Sequence, residues 1–158
     1  MFREMRRTKQ ILSREACLEI ITRGSAGVLA TAGDDDYPYA VPLSYVYEDS
    51  KIYFHSAVTG HKLDAIARNS KVSFCIVDQD LIKPEEFTTY FRSVICFGTM
   101  QIVEGDTEKK EALVKLAEKY SPGVASRDEE ISKLVNRTSI MVMTVEHMSG
   151  KEAIELVK

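Results

Sequence analysis

The residues best suited to chemistry lie in the stretch YFHSAVTGHKLDAI (Tyr53–Ile66), which gathers two histidines and a lysine around one turn. Its first half alternates like a strand, and its second half has the pattern of a helix. The sequence predicts Thr59 as the helix cap, with Gly60, His61 and Lys62 in the first turn. Unpaired amides at a helix start bind anions, so this turn predicts a phosphate site. The alternative is an ordinary capped helix with a solvated lysine.

His55 lies near the end of the strand, where its side chain can face the same opening as that turn. Because histidine titrates near neutral pH, His55 is a candidate proton donor or ligand contact. The alternative is a strand histidine satisfied by its polar neighbours. The motifs GxSxG, GxxxxGK[ST] and GxGxxG are absent. Their absence argues against a hydrolase elbow, phosphoryl transfer and a Rossmann dinucleotide site.

The three cysteines, Cys17, Cys75 and Cys96, are far apart, and each lies in an apolar segment. Free cysteine is among the most buried residue types, so we expect these thiols in the core. No CxxC pair or cysteine–histidine cluster has the spacing of metal ligands, and we therefore predict no metal site.

The elements that must position these residues are indicated first by capping signals and alternation. Ser13 predicts a helix start and Gly24 its end, and the strand AGVLATA follows. The segment YPYAVPLSYVY (37–47) predicts one continuous strand. Pro42 inside it removes a hydrogen-bond donor, which indicates an edge, a bulge or the close approach of another group. The side chains on one face of this strand are Tyr39, Val41, Leu43, Tyr45 and Tyr47.

The rest of the chain continues the mixture of strands and helices. KIYFHSA is a strand that sets Ile52, Phe54 and Ser56 opposite Tyr53, His55 and Ala57. HKLDAIARNS is then a helix, KVSFCIVD a strand, QDLIKPEEFTTY a polar excursion, and YFRSVICFGTMQIV a long strand with a bend at Gly98. A helix capped by Asp106 and a last strand, SIMVMTVEHM, complete the pattern. Six strands with helices at three places predict a small antiparallel barrel or sandwich.

The composition limits the classes of function. At 158 residues the chain has the length of one domain, which we place at residues 1–158. A net charge of −3 argues against a nucleic-acid binder. No apolar run approaches the roughly 20 residues of a membrane-spanning helix, and the start MFREMRRTKQIL lacks the apolar block of a signal peptide. We expect a cytoplasmic protein without a membrane partner.

The order and spacing of these segments carry a family resemblance. YPYAVPLSYVYEDSKIYFHSAVTGHKLDAIARNSKVSFCIVD resembles the FMN-binding split-barrel proteins, the pyridoxamine-phosphate-oxidase-like family. MRRTKQILS, FRSVICFGTMQIVE, KKEALVKLAEKYSP and EHMSGKEA extend the likeness over nearly the whole chain. Within the family, the sequence most resembles the nitroimidazole-resistance (Nim-type) branch.

The resemblance implies a six-stranded antiparallel split β-barrel that forms a homodimer, with one FMN per active site in a groove at the subunit interface. Carried over by motif, the expected FMN contacts are Val41, Pro42 and Leu43 along the isoalloxazine ring; His55, Ser56 and Ala57 beside the ring and ribityl chain; Gly60, His61 and Lys62 at the phosphate; and Ser93 and Val94 as further strand contacts. His55 is the expected catalytic residue.

The implied function is that of an FMN-dependent oxidoreductase acting on a small acceptor such as a nitroaromatic compound, with NAD(P)H as a diffusing donor. The alternative is a non-catalytic flavin-binding module, or a groove that holds haem or a deazaflavin. Pyridoxamine-phosphate oxidation itself is less favoured, because the sequence lacks recognisable basic and aromatic substrate contacts. Further candidates for interface or substrate contacts are Tyr120, Arg137, His147 and Lys151, for which a solvated surface position is the alternative.

Overall fold

The computed structural model describes residues 1–158 as a curved antiparallel sheet with four α-helices packed against it. The helices are α1 (Arg14–Arg23), α2 (His61–Arg68), α3 (Asp106–Tyr120) and α4 (Arg127–Leu134). The strands are β1 (Gly27–Ala32), β2 (Pro38–Leu43), β3 (Val46–Glu48), β4 (Lys51–Ala57), β5 (Lys71–Lys83), β6 (Thr88–Val103) and β7 (Thr138–Glu152). No helix is both long enough and apolar enough to cross a membrane.

The sheet has seven strands in the order β2-β1-β5-β6-β7-β4-β3, so the prediction of six strands is wrong. The strand predicted over residues 37–47 is interrupted at Ser44 and Tyr45. Its first half, β2, pairs with β1, whereas its second half, β3, pairs with β4. The inward alternation continues through the break, since Leu43 is half-buried and Tyr45 is buried. The exchange of partner strands therefore leaves no mark in the hydrophobic pattern.

The sheet curls until its two ends lie side by side. β2 and β3 stand at opposite ends of the strand order, yet only Ser44 and Tyr45 separate them in the chain. Three Cα steps span at most about 11 Å, so the two edges must be close together. No ladder joins β2 to β4, and we call this open seam between them the split. The antiparallel, curved sheet is as predicted, but hydrogen bonds do not close it into a complete barrel.

Alternate residues of each strand fill the interior. In β4 the buried set is Ile52, Phe54 and Ser56, and the outward set is Tyr53, His55 and Ala57, as the alternation predicted. The rings of Tyr45 and Phe54 each meet the ring of Phe74 edge-on, with centroids 5.0 Å apart. Such pairs add to the stabilisation from burial alone. The register of β4, and hence the outward direction of His55, is fixed by this core.

α3 and α4 cover the outer face of β4 and form a second, smaller core. Its buried members are Ala112, Leu113, Ile131 and Ile140, and Tyr53 of β4 packs against them. Lys115 of α3 also forms an ion pair with Glu48 of β3, with 2.7 Å between Nζ and Oε2. Because His55 lies on the same face of β4 as Tyr53, it faces the helical layer rather than the barrel interior.

Several local signals are confirmed. Ser13 caps α1 by accepting a hydrogen bond from the Ala16 amide at 3.1 Å, and Gly24 ends the helix. The β6–β7 register shifts between Phe97 and Gly98, which is the predicted bend.

The predicted caps of α2 and α3 are each wrong by one residue. Gly60 rather than Thr59 precedes α2, and Gly105 rather than Asp106 precedes α3. Neither glycine has a side chain that could cap, so both helix starts keep their first-turn amides free of side-chain acceptors. Asp106 lies in the first turn, where its charge still complements the helix dipole.

The segment predicted as a polar excursion is a two-stranded arm. β5 and β6 stay paired from Gln79↔Arg92 to Lys83↔Thr88, and Phe87 at the turn is 97% exposed. The prediction failed because neither face of the arm is buried: its strand residues are exposed or half-buried, so no alternation marks them. The three cysteines also differ from one another in how deeply they are buried. Cys17 and Cys96 are buried as predicted, but Cys75 is half-buried on the outer face of β5.

Candidate functional site

Two of the predicted segments face each other across the split. β3 pairs with β4 in the register Val46↔Tyr53. Continuing that register back along the chain sets Leu43 opposite Ser56, with Pro42 beside them. Since β2 is hydrogen-bonded to β1 instead, these opposed residues line an open seam rather than a ladder.

The residues along the split offer different groups to a ligand. Val41 and Leu43 are half-buried, and Pro42 between them is exposed. Pro42 has no N–H to donate, which discourages another strand from adding to this edge. Ser56 is buried and donates its hydroxyl to the Ala57 carbonyl oxygen at 2.9 Å, so its side chain faces the core. A ligand in the split would therefore meet apolar side chains and backbone groups.

Three residues separate the end of β4 from the start of α2, which therefore lies next to the split. Gly60 has φ +151°, a value that favours glycine, and open space surrounds the position where a Cβ would be. No side chain accepts a hydrogen bond from the first-turn amides. Lys62 is half-buried in the same turn. The geometry matches an anion site: free amides, the positive end of a helix dipole, a cation and an unobstructed approach.

The His61 side chain, unlike those of its sequence neighbours, is held by contacts with other side chains. Its ring stacks on Tyr39, with centroids 4.1 Å apart, and its Nε2 lies 3.9 Å from Asp34 Oδ2. Arg68, at the other end of α2, forms an ion pair with the same carboxylate at 2.8 Å. Sequence reasoning did not identify Tyr39, Asp34 or Arg68 as parts of the site. They fix α2 against the β1–β2 turn, a tertiary contact with no local sequence signal.

His55 occupies the outward face of β4, at the edge of the split. Partial burial lowers the pKa of His55 below its usual 6.5, and the positive charge of Lys62 lowers it further. The residue nevertheless keeps part of its surface exposed to solvent. His55 is therefore mainly neutral at pH 7, with one nitrogen available to donate a hydrogen bond and the other to accept one. The influence of Lys62 shows that its charge is near enough to His55 to act on the imidazole.

A groove of about 360 Å³ lies beside His55, between β4 and the α3–α4 pair. We call it the helical groove. Leu113, Leu116 and Ile131 form its buried apolar floor, and Ser44 and His55 border it on the strand side. The helical groove thus connects with the split, because Ser44 directly follows β2 and His55 belongs to β4.

Where the chain crosses from β2 to β3 it has no strand partner, and the end of α3 supplies hydrogen bonds to it instead. The Tyr120 hydroxyl accepts the Tyr45 N–H at 2.8 Å, and lies 2.7 Å and 2.8 Å from the carbonyl oxygens of Ser25 and Tyr45. Its single proton serves one of those two oxygens. Lys119 donates to the Tyr45 carbonyl oxygen at 2.9 Å, and its ammonium lies 3.9 Å from the centroid of the Tyr45 ring. Burial lowers the pKa of Lys119 to about 8. We call Lys119 and Tyr120 the crossover clamp.

Ser93 and Val94 do not lie with the other predicted contacts in one chain. They pair with Lys151 and Gly150 of β7, whereas His55 pairs with Ile140 of the same strand. The two positions are up to roughly 35 Å apart along the strand. Val94 is fully buried in the barrel core, so only its backbone is available to a ligand.

The remaining candidates have separate surroundings. His147 stacks on Phe2, with ring centroids 4.8 Å apart, and the Lys151 ammonium lies 5.4 Å from the centroid of the Phe91 ring. Arg137 is exposed just before β7. Tyr120 belongs to the crossover clamp, a structural role that the sequence did not predict.

Comparisons with known proteins agree with this architecture. A family model for pyridoxamine 5'-phosphate oxidase matches residues 13–152, and the chain belongs to that family. A curated relative, an uncharacterized protein from Rhizobium meliloti, is 35% identical over 69 residues. That match spans 44% of this chain and 44% of the relative, so less than half of the relative's length is covered.

Solved structures share the fold over most of the chain. A candidate 5-nitroimidazole antibiotic resistance protein from Bacteroides thetaiotaomicron has a TM-score of 0.76 at 23% identity, covering 90% of this chain and 86% of that chain. An FAD-binding protein from Mesorhizobium loti has a TM-score of 0.66 at 25% identity, covering 91% of this chain and 97% of that chain. The structural neighbours therefore include proteins that bind a flavin.

Proposed function

We propose that this protein is an FMN-binding oxidoreductase that works as a homodimer and reduces a small molecule such as a nitroaromatic compound. The observation that carries the proposal is the meeting of three segments at the split. Val41–Leu43 lies along one edge, His55–Ala57 lies along the other, and the open start of α2 follows β4 after three intervening residues. Family membership supports the same conclusion.

The residues present fit FMN part by part. The phosphate dianion matches the uncapped amides of α2, the open approach at Gly60 and the charge of Lys62. The flat ring matches the exposed Pro42 and its half-buried neighbours in β2. The ribityl chain would pass the backbone of Ser56 and Ala57. His61 contributes its amide to this arrangement, since its ring already stacks on Tyr39.

His55 is the proposed catalytic residue. The chemistry that FMN supplies when bound is two-electron exchange between a donor and an acceptor. In the net reaction, NAD(P)H is oxidised to NAD(P)⁺, and a nitro group takes up two electrons and two protons to become a nitroso group and water. A neutral His55 can donate a hydrogen bond from one ring nitrogen to an acceptor oxygen, and its lowered pKa makes the protonated ring a stronger acid.

A second copy of the chain would complete the site. Ser93 and Val94 are distant from His55 within one chain, so they would reach FMN only from the partner subunit. The outer face of the sheet carries an exposed apolar patch suited to pairing. It comprises Val28, Val77, Ile95 and Phe97. Contiguous exposed apolar surface of this kind marks protein–protein contacts.

The competing functions are a non-catalytic flavin-binding module and a groove that holds haem or a deazaflavin. Proteins with this fold include an FAD and heme binding protein from Mycobacterium smegmatis and an F420 reductase, both below 25% identity to this chain. The split is an elongated seam, which by itself also suits those ligands. One open helix start lies beside the split, that of α2 with Lys62 in its first turn, and it favours a ligand with one terminal phosphate, as in FMN.

Titration of apo protein with FMN and with riboflavin tests the proposal. We expect FMN to bind at one per chain, and riboflavin, which lacks the phosphate, to bind at least about tenfold more weakly. Anaerobic incubation of the FMN complex with NAD(P)H and 4-nitrobenzyl alcohol should then oxidise the donor. Binding without turnover would favour the non-catalytic module, and binding of haem or F420 in place of FMN would overturn the cofactor assignment.

A further inference from the structure

We infer that the helical groove is the acceptor's binding site, and that it takes an uncharged molecule of one or two rings whose oxygen atom reaches His55. This inference rests on the proposed function, since it names where and what that activity would bind. Ala117 of α3 and Val124 in the α3–α4 connection both line the helical groove, and their side chains would limit the size of the acceptor.

The helical groove has the composition of a small-molecule site. Its volume of about 360 Å³ lies at the lower end of the range for ligand pockets, which suits a molecule of one or two rings. Leu113, Leu116 and Ile131 of its floor are each less than 10% exposed, so a ring in the groove would meet a continuous apolar surface. A few convergent polar groups beside an apolar floor are the usual anatomy of such sites.

The charges at the helical groove favour a neutral ligand. Arg127 and Glu130 both line it, and each already has a partner of opposite sign. The Arg127 Nε lies 3.6 Å from Asp128 Oδ1, and Lys133 Nζ lies 3.4 Å from Glu130 Oε1. The charges of Arg127 and Glu130 also balance each other across the lining, so the groove has no net positive charge to attract an anionic substrate. Because burial without a partner is costly for a charge, an uncharged ring is the better occupant.

The hydrogen-bonding groups of the helical groove also favour a particular kind of ligand. The Tyr120 hydroxyl, which borders the helical groove, is used by the crossover clamp and has no proton left for a ligand. The free donors on the strand side are the Ser44 hydroxyl and an imidazole nitrogen of His55, neither of which makes a hydrogen bond within the chain. A nitro or carbonyl oxygen pointed toward β4 would satisfy these donors while the ring stays on the apolar floor. The reacting group would then lie at the edge of the split.

The test uses 4-(trifluoromethyl)benzyl alcohol, an unreactive neutral probe whose binding fluorine NMR can follow with or without flavin. Its matched anionic control is 4-(trifluoromethyl)benzoate. Val124→Trp places a large ring in the groove from an exposed position, and Ala125→Trp adds the same ring at the next residue, which does not line the groove. We expect Val124→Trp to weaken binding of the alcohol at least about tenfold, and Ala125→Trp to change it less than about twofold.

A kinetic test of the same inference uses 4-nitrobenzyl alcohol as the acceptor with the FMN-loaded protein. Val124→Trp should raise its KM with little change in kcat, because the substitution removes binding volume and leaves His55 and the split intact. Ala117→Phe fills the groove from α3 and provides a second variant should the first misfold. Equal probe affinity in Val124→Trp and Ala125→Trp, or tighter binding of the benzoate than the alcohol, would overturn the inference. Failure of FMN binding with normal probe binding would instead overturn the proposed function.

Discussion

At the scale of single residues, Lys62 should determine how tightly FMN is retained. A hydrogen bond from a charged donor to phosphate contributes about 1.5–3 kcal/mol, so Lys62→Ala should weaken FMN binding roughly 10- to 150-fold. Affinity for riboflavin should change little, since it lacks the phosphate. Lys110→Ala, an exposed substitution on α3, is the matched control and should leave both affinities unchanged. Equal loss of FMN and riboflavin affinity would assign Lys62 a role outside phosphate binding.

His55 should also make the stability of the fold depend on pH. Its folded-state pKa is lower than its unfolded value, so the unfolded chain binds more protons as the pH falls through about 6.5. The contribution of His55 to stability is therefore fully present above that pH and declines below it. Denaturant titrations between pH 5 and 8 should show a smaller acid-side decrease for His55→Gln than for the unaltered chain. The same decrease in both proteins would contradict the desolvated setting of His55.

The residues at the site could be predicted to different extents. Alternation in β4 was enough to set His55 outward and Ser56 inward, because the core fixes the register of the strand. The helix start at Gly60 was misplaced by one residue because Thr59 and Gly60 are both acceptable caps. The stacking of His61 on Tyr39 could not have been predicted, since it depends on how α2 packs against a distant turn.

At the scale of elements, the crossover clamp should stabilise the point where the chain passes from β2 to β3. Tyr120→Phe leaves the buried Tyr45 N–H without an acceptor, which costs about 1–3 kcal/mol in the free energy of unfolding. Tyr37→Phe removes a hydroxyl from a side chain that is 77% exposed and should cost nothing measurable. Equilibrium denaturation of both variants checks the difference. Equal stabilities would show that water replaces the Tyr120 hydroxyl.

The division of one predicted strand into β2 and β3 illustrates what a hydrophobic pattern cannot report. Alternation records which face of a strand is buried, but it does not record which neighbour the strand is bonded to. Pro42 was a correct sign of an edge, whereas the clamp that replaces the ladder comes from α3, far along the sequence. Likewise, the β5–β6 arm was missed because neither of its faces is covered within one chain.

At the scale of the whole molecule, the exposed apolar surfaces explain why we propose a dimer. The patch formed by Val28, Val77, Ile95 and Phe97 lies on the outer face of the sheet. The arm adds Leu81, Ile82 and Phe87, which are 48%, 67% and 97% exposed. A two-stranded arm alone is only marginally stable in water, so contact with a second copy would also stabilise it. The same contact would bring Ser93 of one subunit toward the split of the other.

Ile95→Asp should therefore separate the subunits. Ile95 is 39% exposed on the outer face, so an aspartate there can be hydrated in the monomer, whereas the proposed interface would bury it without a partner. Sedimentation should show a dimer for the unaltered chain and monomers for Ile95→Asp. Thr107→Asp, which adds the same charge on the exposed start of α3, should remain dimeric. If the partner subunit completes the flavin site, FMN affinity should fall together with dimerisation. Monomers that bind FMN as tightly as the dimer would instead show that one chain contains every contact that matters.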